Sequence, residues 1–385
     1  MRIAFISLMG GMPWGGSEVL WNATALHALE QGDQVFVSVY KWKNLHQKIK
    51  LLIEKGAEVH FRRSLHEKVG RIEKLIRFVT NRRDFLKKDY QTIVDFKPDV
   101  VFISLGEIFE FAFEHKRLYN LLIEHNIPYS FVCHSNVQQY SYIPPKEIYP
   151  GAVDIFKNAK NVYFVSKRQW KLTERRLACK LQNAQLTWNP LNLIAPTRPL
   201  SWSDDSVIHM ALVGAFVGYK GHDTAMEVLS ATQWKERKWK LNLYGSGSGE
   251  KYLKDLAGFF DIQDRIEFHG HVIDVTGIWK QNHILLIPSA GEGLPISLVE
   301  AMACGRPSVV TDVGGNTELI VENETGFVSA APTTESFSEA MERAWLSQTK
   351  WLQMGLKSFE VINKKLDKKP ERSLYQKLKS SCSPT

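Results

Sequence analysis

The 385-residue sequence has no paired cysteines: Cys133, Cys179, Cys304 and Cys382 are scattered, with no Cys-x-x-Cys spacing among them. That speaks against a structural zinc site and against a secreted disulfide framework, so reduced thiols are expected. No uninterrupted apolar run reaches the roughly 18 to 20 residues that span a bilayer. The opening run, Met1 to Leu8, carries one positive charge and breaks at Gly10-Gly11, which is too short for a signal peptide and reads as a first strand. The expected location is therefore the cytoplasm, or the inner face of a membrane to which the chain attaches peripherally. There is no Asp-x-Asp pair, internal repeat or low-complexity tract. No nucleic-acid module is recognisable, so nucleic acid is not an expected partner.

With 44% hydrophobic and 23% charged residues, the chain can bury a core along its whole length. That length exceeds what one core usually supports, and two domains are expected. The net charge of +8 is concentrated: Lys41 to Tyr90 holds fifteen Lys or Arg against six Asp or Glu. Interleaved with Trp42, Leu45, Ile49 and Phe78, this stretch (residues 41–90) is a candidate for an anionic membrane surface, the alternative being ordinary solvated helix faces.

Short β-branched or aromatic runs alternate with helical patterns, the signature of βαβ units and parallel sheets. Strands are expected at Ile3–Leu8, Gln34–Val39, Asp99–Ser104, Tyr129–Cys133 and Val162–Val165, with helices at Ser17–Gln31, capped by Ser17, and Glu110–His125. A proline-bearing stretch, residues 191–206, reads as a linker. The alternation then restarts with strands at Ile208–Val213, Lys240–Tyr244, Arg265–Phe268, Ile284–Ile287 and Pro307–Val310. Helices are expected between them, including Pro295–Cys304. The division is thus 1–190, a linker at 191–206, 207–345, and terminal helices over 346–385. Leu352, Leu356 and Phe359, with Trp351, suggest an apolar stripe by which a terminal helix packs back on the first domain.

The most informative segment runs from Pro288 to Gly305. It follows a buried strand, turns through Gly291 and Gly293 and opens a helix, so backbone N–H groups and the positive helix end can meet a diphosphate. Glu292 lies in the turn and Glu300 in the helix; ionised carboxylates only accept hydrogen bonds, which suits hydroxyl-rich ligands. Two solvated surface acids would give the same spacing. Elsewhere, Lys220 closes a Gly-containing loop after a strand and could neutralise a leaving diphosphate as a point charge. Gly245 sits in the glycine run after the next strand. In the first half, Gly15 and Gly16 end a glycine-rich loop whose spacing is not the dinucleotide fingerprint, and His134 falls at a strand's carboxyl end, where open α/β sheets bind ligands.

The flanking residues decide between these readings. Glu292-Gly293 and Glu300-Ala301-Met302-Ala303-Cys304-Gly305, followed by Pro307, Asp312-Val313-Gly314-Gly315, Glu318 and Thr325-Gly326, resemble the paired-glutamate frame of the retaining family-4 glycosyltransferases. That resemblance implies a GT-B fold: two Rossmann-like doubly wound α/β domains facing a central cleft, acceptor half first and donor half second. It implies transfer of a hexose-type sugar from a nucleoside-diphosphate sugar to a glycan or lipid-linked acceptor with retention of anomeric configuration. No cofactor and no metal are expected. Lys220, Glu292 and His134 would act on the diphosphate and donor sugar, and Glu300 would bind the ribose. Gly293, Leu294, Pro295 and Ile296 would meet phosphate or sugar oxygens, Gly245 would wall the donor site, His271 and Val272 would meet the base, and Gly15 and Gly16 would let backbone approach the ligand. The family usually places an arginine where this chain has Ala215, which keeps open a non-catalytic sugar-nucleotide-binding relative. A nucleotide-sugar epimerase or hydrolase on the same architecture is the other alternative.

Overall fold

The computed structural model describes residues 1–63, 82–135, 149–202 and 206–382, with the side chains of 82–88 left aside. Much of the basic stretch 41–90 therefore lies outside the described residues. The described chain divides into two compact units, one built from residues up to 190 together with 369–382, the other from 191–368.

The first unit is a seven-stranded sheet of β1 (Arg2–Ser7), β2 (Gln34–Tyr40), β3 (Glu58–Arg62), β4 (Val100–Glu107), β5 (Tyr129–Ser135), β6 (Val162–Phe164) and β7 (Ala184–Leu186), in the order β3-β2-β1-β4-β5-β6-β7. Each pairing is parallel. Runs such as Ile3-Ala4-Phe5-Ile6 and Val100-Val101-Phe102-Ile103 are buried throughout, as strands covered on both faces must be. Phe111, Tyr129, Phe131 and Phe156 fill the core under β4 and β5, with Phe131 and Phe156 edge-to-face at 4.9 Å. The last helix, Pro370–Cys382, returns to this unit, where the Tyr375 hydroxyl donates to Asp33 Oδ2 at 2.7 Å and its ring meets that of His27 at 5.1 Å.

The second unit is a six-stranded parallel sheet of β8 (Ile208–Val213), β9 (Trp239–Tyr244), β10 (Ile266–Gly270), β11 (Ile284–Ile287), β12 (Ser308–Thr311) and β13 (Gly326–Ser329), ordered β10-β9-β8-β11-β12-β13. Its core is rich in tryptophan: Trp234, Trp239 and Trp351 are all buried, with Phe337 and Met341. Residues 191–202, read above as a linker, are held to this unit. Arg306, itself buried, donates to the carbonyls of Leu200 and Ser201 at 3.1 and 2.7 Å and stacks 5.0 Å from the Trp202 ring.

Three local expectations are corrected. The segment Glu110–His125 is two helices, Glu110–Phe113 and Lys116–Glu124, because the chain turns at His115 to bury an imidazole that meets the Tyr90 hydroxyl at 2.6 Å. Ser17 is the first helical residue rather than the cap; Gly16 occupies the cap position and the Ser17 hydroxyl points to Met9 Sδ at 3.0 Å. The apolar stripe near the carboxyl end is out of phase: Leu352 and Leu356 are 55% and 45% exposed. Of that stripe the helix Trp351–Lys365 fully buries only Trp351, together with Met354, Gly355, Ser358 and Ile362. Those positions repeat at helical spacing, but a glycine and a serine stand among them, so hydrophobicity does not reveal the face. Ser358 is there to donate to the Thr325 carbonyl at 3.0 Å, and this helix packs within the second unit.

Candidate functional site

In an open parallel sheet the loops at the carboxyl ends of two strands diverge where the strand order reverses, and ligands bind in that crevice. In the second unit the reversal lies between β8 and β11. The loop after β8 carries Lys220, and the loop after β11 carries Glu292. They meet: Lys220 Nζ donates to Glu292 Oε1 at 2.7 Å and Oε2 at 2.8 Å, and the Ser289 hydroxyl adds a 2.7 Å bond to Oε1. Burial alone would lower the lysine pKa, but the Glu292 charge and hydrogen bonds outweigh it and raise the value, so Lys220 is a cation at neutral pH.

Backbone contacts fix this pairing. Ala290 N–H donates to the Tyr219 carbonyl at 2.8 Å, which ties the two loops together one residue before Lys220. Gly221 has φ +69, and a Cβ there would fall 2.2 Å from the Pro288 carbonyl oxygen. Gly314, at φ +52, lies against the Glu292 carbonyl in the same way, and Gly315 N–H donates to the Gly293 carbonyl at 2.7 Å. The Asp312-Val313-Gly314-Gly315 turn after β12 is thus the clamp that seats the Glu292 loop. Thr311 supports it from below through a 2.6 Å bond to the Ser289 carbonyl.

Gly293, Leu294 and Pro295 lead into the helix Ile296–Ala303, whose amino end has no side-chain cap. Among the described residues the N–H groups of Ile296 and Ser297 therefore have no partner and can receive an anion, while those of Leu298 and Val299 turn back to the Pro295 carbonyl. Glu300, on this helix, is 2% exposed. Its Oε1 accepts two hydrogen bonds from Asn192, from the backbone N–H at 2.8 Å and from Nδ2 at 3.1 Å. Burial pushes this carboxyl up to about 7, against the opposing pull of the Asn192 donors.

The other expected donor-side residues ring the same sheet edge. Gly245 follows β9, with its N–H on the Gly270 carbonyl at 2.8 Å, and its loop is stitched to the β8 loop by Phe216 N–H to the Ser246 carbonyl at 3.0 Å. His271, exposed, and Val272, half-buried, follow β10. Ala215 lies at the start of the Lys220 loop and supplies no charge.

In the first unit, Gly15 and Gly16 follow β1, and Gly15 lies close under Met9, whose sulfur would stand 3.2 Å from a Cβ there. His134 lies near the end of β5. Its Nε2 is buried without a hydrogen-bond partner among the described residues, and burial pulls its pKa down to about 4. It is therefore a neutral imidazole, able to hydrogen-bond a hydroxyl but not to neutralise a phosphate.

Sequence reasoning did not assign Ser289, Asn192, Thr311 or Gly314 a role. Ser289 and Gly314 stood inside the motif; Asn192 is 108 positions from its partner, and no spacing signals it.

Residues 203–358 match the family described as glycosyl transferases group 1. Over that stretch, which makes up most of the second unit, the chain is similar to the group 1 glycosyltransferases. A relative named as an uncharacterized glycosyltransferase of Haemophilus influenzae is 32% identical over 171 residues, 44% of this chain and 48% of that protein. The N-acetyl-alpha-D-glucosaminyl L-malate synthase of Bacillus anthracis is 28% identical over 142 residues, 37% of this chain and 34% of that protein. The chain thus spans about half the length, or less, of these curated relatives. Among solved structures, Anabaena HepE in complex with UDP-glucose superposes with a TM-score of 0.75 at 14% identity, covering 99% of this chain and 100% of that one. At that identity the likeness establishes the fold: two Rossmann-like parallel-sheet domains of the GT-B class.

Proposed function

We propose that the protein is a retaining hexosyltransferase that takes its sugar from a nucleoside-diphosphate donor. The observation that carries this reading is the meeting of Lys220 and Glu292 at the strand-order reversal, with the buried carboxyl of Glu300 on the helix that follows. A departing diphosphate gains negative charge in the transition state, and pre-placed donors at that point lower the barrier. Lys220 has three N–H donors, two of which engage Glu292. The third, together with the free N–H groups at the start of the helix Ile296–Ala303, is available to phosphate oxygens. Glu292, seated by Ser289 and Gly314, then accepts hydrogen bonds from the donor sugar, and Glu300 from the ribose.

In this reading the acceptor is a glycan or lipid-linked glycan, received by the first unit, where His134 contributes a neutral hydrogen-bonding group. The leaving phosphate oxygen assists deprotonation of the acceptor, so no protein base is assigned. Neither a cofactor nor a metal is required. The protein acts in the cytoplasm, with residues 41–90 contributing attachment to anionic lipid, and vesicle sedimentation that weakens with salt would support this last point.

Donor turnover, measured with and without glycan acceptors and in the presence of a chelator, tests the whole proposal. Sugar transfer that persists in chelator and is lost in Glu292→Ala and Lys220→Ala proteins is expected. Donor binding without turnover would instead favour a non-catalytic relative, the outcome to which Ala215 points. Donor consumption that needs no acceptor would favour a hydrolase or epimerase.

A further inference from the structure

Glu300 offers fewer free acceptor positions than a lone carboxylate would. Each carboxylate oxygen has two lone pairs. Both positions on Oε1 are taken by the backbone N–H and the Nδ2 of Asn192, and no other hydrogen bond to Glu300 occurs among the described residues. Oε2 is what remains for a ligand. The amide orientation is equally constrained: Asn192 presents Nδ2 to Oε1, which turns its Oδ1 elsewhere. That Oδ1 has no partner among the described residues, and Asn192 is exposed while Glu300 is almost fully buried. An acceptor therefore stands at the mouth of a site whose floor is another acceptor.

We infer that Asn192 is a positioning and specificity residue for the nucleotide ribose, holding Glu300 by Oε1 so that Oε2 accepts one ribose hydroxyl while Asn192 Oδ1 accepts its neighbour. This rests on the reading of Glu300 as the ribose contact. A cis-diol presents two O–H donors on adjacent carbons. A free carboxylate could receive both; with Oε1 filled, Oε2 and the oxygen of the amide whose Nδ2 donates to Oε1 form a pair of acceptors for a cis-diol. The direct touch of Asn192 on the ligand is through Oδ1, and its indirect effect is to fix the plane and ionised state of the Glu300 carboxyl. Asn192 lies just after the Asn189-Pro190 pair, so the stretch read from sequence as a linker contributes a group to the donor site of the second unit.

The test uses the full chain and the tightest binder among UDP, GDP and ADP, each compared with its 2′-deoxy and 3′-deoxy forms by calorimetric titration. The wild type should bind the deoxy forms about tenfold more weakly, as expected for a hydrogen bond to a charged acceptor. Asn192→Ala should bind the ribonucleotide about tenfold more weakly and shrink at least one deoxy penalty to about twofold, with a thermal midpoint lowered by only a few degrees because the backbone N–H of residue 192 still donates to Oε1. Asn192→Asp, which opposes a second carboxylate to Oε1, should bind more weakly still. A wild type indifferent to both deoxy forms overturns the Glu300 reading itself, and this proposal with it. A wild type that discriminates, beside an Asn192→Ala protein that keeps both penalties at full size, leaves Glu300 in place and overturns the role of Asn192.

Discussion

Replacing Glu300 by glutamine should make the second unit more stable at pH 8 while weakening its nucleotide binding about tenfold. The side chain is 2% exposed, and its carboxyl is pushed by burial from an ordinary 4.5 to about 7, with only Asn192 opposing the shift. A folded-state value above the unfolded one means that the native protein holds this proton more tightly. The stability gained from the proton is complete below pH 4.5 and is lost as pH rises through about 7. At 1.36 kcal/mol per pH unit, the interval corresponds to roughly 3 kcal/mol of stability forgone at pH 8 to keep a charged carboxylate in the site. Glutamine is nearly isosteric, keeps an oxygen to accept from Asn192 and carries no charge to desolvate. The thermal midpoint of the second unit should therefore rise by up to about 10 °C at pH 8 and by almost nothing at pH 4.5. Scanning calorimetry at both values, with nucleotide titration in parallel, measures each half. An equal gain at both pH values, or none at pH 8, would refute the argument that ionised Glu300 is held at a cost to stability.

Other perturbations follow from the same geometry. Lys220→Met and Glu292→Gln should each destabilise the second unit by about 1–3 kcal/mol, less than for a fully buried pair because the lysine side chain is 21% exposed. The double variant should cost less than their sum, and strict additivity in denaturant unfolding would show that the pair is not coupled. Gly314→Ala forces a Cβ to within 2.2 Å of the Glu292 carbonyl at φ +52; turnover should fall about a hundredfold as the loop shifts, with a midpoint loss of only a few degrees, and wild-type turnover would contradict the clamp. Met354→Ala should cost about 2–4 kcal/mol and Leu356→Ala less than about 0.5 kcal/mol, the reverse of what the apolar pattern alone suggests.

Much of the fold was legible because buried parallel strands need continuous apolar runs, and the runs at Ile3, Val100, Ile208 and Ile284 have no other use. β3, β7 and β13 were not legible: all three are edge strands, Glu58–Arg62 and Ala184–Leu186 with polar residues and Gly326–Ser329 with a glycine at one end and a serine at the other, so none is a continuous apolar run. The break at His115 was equally hidden, since neither proline nor glycine marks it and its cause is a hydroxyl on a distant helix.

The sequence by itself determined the alternation of strands and helices, the glycine turns and the acids at Glu292 and Glu300, because backbone conformation and hydrophobic periodicity are local properties. Only the tertiary structure decided what those groups face. It placed Lys220 on Glu292 through a strand-order reversal, set Gly314 under the Glu292 loop, and brought Asn192 to one oxygen of Glu300 and left the other free. These contacts join residues from 22 to 108 positions apart, and their partners are chosen by the sheet order, which no local pattern encodes.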